Sequence, residues 1–443
     1  MTVLLVSLIV LALLALGVHI GFALGLAGIV GLLFILGVDG TVANLSTIPY
    51  NSTARYSLAI VPMFILMGAF FTRSGFTRDA FGAAQAWMGR IRGGLAATTV
   101  VSAAVFGAVT GSSVANAAVF SRIAIPEMVE NGIDKRLAAG CVAASGTLAS
   151  LIPPSLLLVI FGVITDQSVR LLLIAGILPG ILSVGVYIGG IVARARLKPE
   201  LVTSFPKNDD GTVRVTTLQK YSLKQKVAKL RGLWGALVVF GLVMGGVYFG
   251  WFTPTQAGAI GAFAAFMLTF IPGRTIGLRG TWDSLTETGT TTGSIVLILV
   301  GGSFMGRFLS SSGAIRGISD TLLEWDLPAL GYLLIFALIV VMLGMFLEAF
   351  AILVIVLPVF FPILTSVGYD PLVLGIITIK LVEIGLITPP VGLNCYVVKS
   401  ATPIDMSLDD VFAGVTPFLL LDLLTLALLI AFPTIITYLP SLV

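Results

Sequence analysis

Charge is scarce in this chain. Only 10% of its 443 residues are Asp, Glu, Lys or Arg, 57% are hydrophobic, and the mean hydropathy is +1.09. So few polar side chains cannot cover a soluble surface of that size, so lipid is the solvent for most of the chain. Histidine is nearly missing: His19 stands alone, which excludes a histidine proton relay or a histidine metal cluster. The two cysteines, Cys141 and Cys395, lie in apolar segments without metal or redox spacing, as buried small hydrophobes do. There is no G-x-x-x-x-G-K-[ST] loop, which excludes ATP hydrolysis by that route. No nucleophile–base pair is visible, so an enzyme is not expected and no cofactor is implied. Apolar–polar alternation is lacking too, so of the two structures that satisfy their backbone in lipid, helices are expected rather than a barrel. The stretch Val3 to Gly17 has no basic flank and no small-residue cleavage site, and reads as a retained helix.

What is present is glycine, proline and repetition. The 50 glycines and 20 prolines suit membrane helices that pack closely and break. A shift of 236 residues aligns Pro126 with Pro362, Gly132 with Gly368, Asp134 with Asp370 and Pro153-Pro154 with Pro389-Pro390. A shift of 238 aligns Gly68 with Gly306, Ser74-Gly75 with Ser312-Gly313, Ala175-Gly176 with Ala413-Gly414 and Pro179 with Pro417. A near-constant offset over so long a stretch signals duplication. Half one, 1–196, is expected to hold helices near 3–17, 20–38 and 58–72, a turning segment at 93–131, a broken helix near 136–165 and a helix near 170–193. Half two, 232–443, repeats the order with helices near 233–252, 255–272 and 291–310, a turn at 328–369, a break within 371–400 and a last helix near 412–435. The small and polar run GAVTGSSVAN at Gly107 to Asn116 interrupts an apolar stretch too long for one span, so the segment reads as a re-entrant hairpin.

Five spans and one hairpin per half make an odd crossing number, so the second half is expected to be inverted. Charge agrees. The 194–231 region holds ten Lys/Arg against Glu200, Asp209 and Asp210, and belongs in the cytoplasm as a basic linker (197–231) with a surface helix at KYSLKQKVAKLR. Arg73, Arg78, Arg90, Arg92, Lys135, Arg136, Arg274, Arg279 and Lys399 then fall on the same side, which makes 19 of the 25 basic residues cytoplasmic. Arg55, Arg170 and Arg316 fall outside. The fold class expected is therefore an all-α polytopic membrane protein of two inverted repeats. Each repeat has about five spanning helices, one re-entrant hairpin and one proline-broken helix. Hairpin one would open from the cytoplasm, hairpin two from the periplasm.

Inverted repeats with broken helices carry their sites at the breaks. In half one the hairpin tip Ser112, Ser113, Asn116 faces the break Thr147, Pro153, Pro154, Ser155. In half two the tip Gly344 to Phe350, with Glu348, faces Thr388, Pro389, Pro390, Gly392, Asn394. Carbonyls freed by proline, hydroxyls and amide oxygens are hard ligands that suit sodium, and helix N-termini favour a carboxylate. The competing reading is kinked packing helices. Six ionisable residues lie in apolar segments: Arg122, Arg307, Glu348, Lys380, Glu383 and Asp422. Such residues are functional candidates by default. Arg307 reads either as a fork for a substrate carboxylate or as a partner of Glu348, or as a snorkelling side chain. Lys380 and Glu383, three apart, read as a mutual pair. Arg122 reads as snorkelling and Asp422 as a local contact.

These motifs resemble the large membrane subunit of tripartite ATP-independent periplasmic (TRAP) transporters: GRIRGGLA, GSSVANAA, IPP-S and AGILPG in half one, LGMFLE, GYDP, ITPPVGLN and GVTPF in half two. The likeness runs from about residue 17 to 435. More remotely, the chain resembles the ion-transporter superfamily of elevator carriers. The resemblance implies sodium-coupled uptake of an organic anion, such as a C4-dicarboxylate or sugar acid, into a bacterial cell across the inner membrane, by an elevator motion. It implies a small four-helix membrane subunit, expected as a separate chain, and a periplasmic binding protein. It places sodium at Ser112, Ser113, Asn116, Thr388 and Asn394. Three positions depart from the family pattern: His19 where proline is common, Gln256 where Glu is common, and Glu348 where Asp is common, followed by Ala349-Phe350. A passive channel or assembly subunit is the alternative. Matched hairpins entering from opposite faces favour alternating access, since a pore needs neither.

Overall fold

The computed structural model describes residues 2–89, 93–203, 221–271 and 273–443. Arg90 and Arg92 of the GRIRGGLA run, and residues 204–220 of the basic linker, lie outside them. All described regular elements are helical. The first half contains α1 (Thr2–Ala15), α2 (Ile20–Thr53), α3 (Ile60–Arg73), α4 (Phe76–Met88), α5 (Gly94–Thr110), α6 (Ser113–Glu130), α7 (Lys135–Leu151), α8 (Leu156–Thr165), α9 (Val169–Ala175) and α10 (Ile177–Leu197). The short α11 (Glu200–Thr203) and α12 (Leu223–Leu230) flank the linker. The second half contains α13 (Trp234–Tyr248), α14 (Pro254–Leu268), α15 (Gly277–Ser311), α16 (Ala314–Glu324), α17 (Ala329–Gly344), α18 (Ala349–Ser366), α19 (Pro371–Ile387), α20 (Leu393–Ala401), α21 (Leu408–Ala431) and α22 (Thr434–Thr437). Seven of the described helical stretches are long and apolar enough to cross a membrane, or eight if the α7–α8 pair, bent by 44°, counts as one span.

The sequence pattern accounts for the boundaries. In both halves a glycine in the left-handed region ends a hairpin, Gly132 (φ 80°) and Gly368 (φ 96°), where a side chain would be strained. Two residues later an aspartate caps the next helix. Asp134 accepts from Arg136 N and Leu137 N at 2.8 and 3.3 Å, and Asp370 from Leu372 N and Val373 N at 2.7 and 3.2 Å. The residues that repeat in sequence thus perform the same local task.

The helices sort into a frame and a core. In the frame, α2 and α15 pack along much of their length, α3 lies on α14 and α15, and α12 lies on α4. Arg73 bridges to Glu287 at 2.6 Å, while Arg274 pairs with Asp79 and stacks 3.7 Å over the Phe76 ring. In the core, α7 is central, packed against α5, α6, α19, α20 and α21. Its crossing with α21 needs glycine on both sides, because a Cβ on Gly140 would collide with the Gly414 carbonyl. The broken helices exchange partners: α8, after the first break, packs on α18 of hairpin two, and α20, after the second, packs on α6 of hairpin one.

Several boundaries differ from expectation. α2 runs to Thr53 instead of ending near residue 38, with Gly37 (φ 70°) interrupting its helical geometry. α15 starts at Gly277, fourteen positions before the apolar run. The amphipathic helices α4 and α16 were not foreseen, because their charged residues read as loop.

Candidate functional site

Both hairpin tips border one cavity of about 450 Å³. Tip one turns at Gly111 and Ser112, and Ser112 caps α6 by accepting from Ala115 N at 3.3 Å. Gly111 is left-handed (φ 61°), and a Cβ there would lie 2.9 Å from the Pro154 carbonyl, so tip one is seated on the first break. Tip two turns between Gly344 and Ala349, with Glu348 at the N-cap of α18. Gly392 N donates to Met345 O at 3.2 Å, which ties tip two to the second break.

Four helices begin at this cavity. Its lining includes Ser113 of α6, Leu156 of α8, Ala349 of α18 and Leu393 of α20. Each helix N-terminus carries partial positive charge and unpaired N–H groups, so the four together favour an anion. The hydroxyls of Ser112, Ser113 and Ser150 and the half-buried Glu348 carboxylate add hard oxygen ligands. From the frame come Thr72 on α3 and Glu287 and Thr291 on α15. Those three were missed in the sequence; the signal for Glu287 and Thr291 was the polar run ETGTTTG at Glu287 to Gly293.

The remaining candidates do not line the cavity. Asn116 is fully buried behind tip one; its Nδ2 donates to Ala103 O at 2.9 Å, and its Oδ1 has no partner. Asn394 is fully buried with both amide atoms unpartnered. A buried amide without a partner is costly. Both therefore fit the role of oxygen donors to a small cation. Thr147 donates to Ala144 O at 2.7 Å and its side chain also reaches Tyr187, while Thr388 donates to Ile384 O at 2.6 Å. Ser155 caps α8 and donates to Ser150 O. Gly344 is a packing glycine: a Cβ there would sit 2.7 Å from Gly385 Cα. Pro153 and Pro154 are buried, whereas Pro389 and Pro390 are exposed; both Pro–Pro peptide bonds are cis.

Arg307 lies elsewhere. It is exposed in a second cavity of about 380 Å³, with Asn51, Ser52, Arg55 and Ser303. Its Nε donates to Asn44 Oδ1 at 3.2 Å. Among the described residues no Arg307–Glu348 ion pair forms, and the two side chains line different cavities. Arg122 is exposed beside Arg78 and Arg274 in a third cavity. The Lys380–Glu383 pair is present at 3.2 Å, and Asp422 joins it from a distant helix instead of making a local contact.

Residues 7–435 match the family described as the DctM component of the tripartite ATP-independent periplasmic transporter. The chain is similar to the C4-dicarboxylate TRAP transporter large permease protein DctM of Pseudomonas aeruginosa, with 34% identity over 95% of this chain and 92% of that protein. It is also similar to the sialic acid TRAP transporter large permease protein SiaM of Vibrio cholerae, with 29% identity over 98% of this chain and 97% of that one. The ectoine TRAP transporter large permease protein TeaC of Halomonas elongata is 28% identical over the same shares. Among solved structures, the YdaH transporter of Alcanivorax borkumensis shares the fold, with a TM-score of 0.62 over 91% of each chain at 15% identity.

Proposed function

Because the chain belongs to the DctM family of TRAP transporters, we propose that it imports an organic anion with sodium, exposing the tip cavity to one side of the membrane at a time. It is the large permease component of such a transporter, a multi-pass inner-membrane protein and not an enzyme. The observation that carries the anion reading is the convergence of four helix N-termini on one cavity that both hairpin tips border. The unpartnered oxygens of Asn116 and Asn394 support sodium as the coupling ion, with Ser112, Ser113 and Glu348 as further donors. On the sidedness expected from charge, Thr72 and Glu287, next to and paired with Arg73, put the frame wall of the tip cavity on the cytoplasmic side. Arg307 and Arg55 lie at the opposite, periplasmic cavity. There Arg307 receives the carboxylate delivered by a periplasmic binding protein, before the core moves against the frame. A small membrane subunit completes the assembly.

The test is uptake by vesicles holding this chain and its small subunit, with substrate-loaded binding protein outside. Concentrative uptake that vanishes when choline replaces sodium is the expected result. Uptake that persists without sodium, or that only equilibrates, overturns the coupled reading. Arg307→Lys should cut transport about tenfold or more at normal protein level, because lysine cannot fork onto a carboxylate. Full uptake by Arg307→Ala would remove the arginine from the substrate path.

A further inference from the structure

Behind the second break, away from all three cavities, three helices bury a polar cluster. Lys380 and Glu383 come from α19, Asp422 from α21 and Tyr187 from α10, and all four are fully buried. The Lys380 ammonium donates to Glu383 Oε2 at 3.2 Å and to Asp422 Oδ1 at 2.6 Å. Tyr187 OH donates to the same Asp422 oxygen at 2.7 Å. The second oxygens, Glu383 Oε1 and Asp422 Oδ2, are buried without a partner. One cation thus faces two carboxylates in an interior that cannot solvate the difference.

Among the described residues the surroundings bring no second cation, and α17, which packs on α19, carries Tyr332 as its one titratable group. On α7, Lys135 and Arg136 are both bound to Asp410 at 2.9 Å, and the other titratable group of that helix is the buried Cys141. Arg170 on α9 is bound to the Val247 and Tyr248 carbonyls of α13. Lys399 is exposed at the far end of α20, Arg194 lies two turns beyond Tyr187 on α10, and α8, α18 and α22 carry no charged side chain. An uncompensated buried charge neutralises by taking up a proton.

We propose that the Lys380–Glu383–Asp422–Tyr187 cluster is a proton-binding site, holding one exchangeable proton on its carboxyl pair. The proton belongs to the pair rather than to either residue, since both carboxylates share one ammonium. With it, the cluster is one ammonium, one carboxylate and one carboxylic acid, and is neutral. Without it, a net negative charge lies buried in the helix that leads into the second break, inside the part of the protein that packs both hairpins.

Infrared spectroscopy of the full chain with its small subunit in lipid reads this directly and without substrate, so the result stands apart from the transport reading. At neutral pH the wild type should show a buried carboxylic-acid C=O band that shifts in heavy water. Glu383→Gln and Asp422→Asn, each isosteric with the protonated acid, should each abolish that band. A wild type without the band overturns the proposal, and so does a band that survives both substitutions. If one variant does not fold, the other and the wild type decide. In vesicles, wild-type uptake should fall about tenfold per pH unit once the proton leaves on the alkaline side, and the folded variant should lose that slope. The same slope in wild type and variant overturns the exchangeable proton.

Discussion

The two helix breaks share a Pro–Pro pair and a hairpin tip, yet they lie in different surroundings. The first, between α7 and α8, is closed: Pro153 and Pro154 are buried, Ser155 caps the next helix, and Gly111 leaves no room for a side chain against the Pro154 carbonyl. The second, between α19 and α20, is open. Pro389 and Pro390 are exposed, and a single backbone bond, Gly392 N to Met345 O, ties it to its tip. Equal motifs in unequal environments are what a carrier needs if it opens to one side at a time. A duplicated chain can only do so by breaking the equivalence of its halves. The buried ions follow the same asymmetry, since Lys380 and Glu383 lie in the second broken helix, while Ala144 and Thr147 stand at the matching positions of the first.

The sharpest way to break the comparison is to ask whether the halves face opposite sides at all. Glu130 and Ser366, 236 positions apart, are both exposed at the ends of α6 and α18, and the native Cys141 and Cys395 are buried. In inverted halves, Glu130→Cys should react with an impermeant thiol reagent only from the cytoplasm, and Ser366→Cys only from the periplasm. The effect is all or none. Reaction of both from one side ends the inverted reading. A smaller effect sharpens the contrast between closed and open breaks. Gly111→Ala and Gly392→Ala both force alanine into a left-handed position, which costs about 1–2 kcal/mol. Gly111→Ala adds a clash with a buried carbonyl at 2.9 Å, whereas the Gly392 Cβ would meet the Phe412 ring and the Thr388 carbonyl at 3.1 Å. Destabilisation of about 3 kcal/mol against about 1 is expected, read as thermal unfolding in detergent. Equal losses would mean that the first break is not the more tightly seated.

The sequence made much of this legible, for definite reasons. Lipid forces helices, so the spans and both hairpins show as apolar runs, and GAVTGSSVAN marks the first tip because small polar residues have no other place at that depth. The Lys380–Glu383 pair is readable from spacing alone. Its other partners are not: Asp422 and Tyr187 arrive from α21 and α10 by tertiary packing that no local pattern encodes. The exchange of partners, α8 onto hairpin two and α20 onto hairpin one, is invisible for the same reason. Polar starts hide helices, as at Gly277 to Thr290, where Glu287 belongs to the cavity wall. Motif residues also divide in ways that composition cannot show. Gly344 serves close packing and Thr147 bonds its own helix, while Ser113 and Glu348 reach the cavity.

The finest test of the comparison concerns sodium. Ser113 belongs to the closed half and borders the cavity, whereas Asn394 belongs to the open half and is buried with neither amide atom paired. If both halves hold an ion, Ser113→Ala and Asn394→Ala should each raise the sodium concentration for half-maximal uptake, with the protein level unchanged. Loss of one oxygen donor to a cation is worth about 1–2 kcal/mol, or about fivefold to thirtyfold in that concentration. Asn394→Ala should have the larger effect. Its amide oxygen has no partner among the described residues and would be satisfied by a bound sodium, whereas a water in the cavity can replace the Ser113 hydroxyl. Asn394→Ala should also leave thermal stability in sodium-free buffer unchanged or raised, because it removes an unsatisfied buried group. Lower stability there, with unchanged sodium dependence, would make Asn394 a packing residue and leave the open half without this ligand.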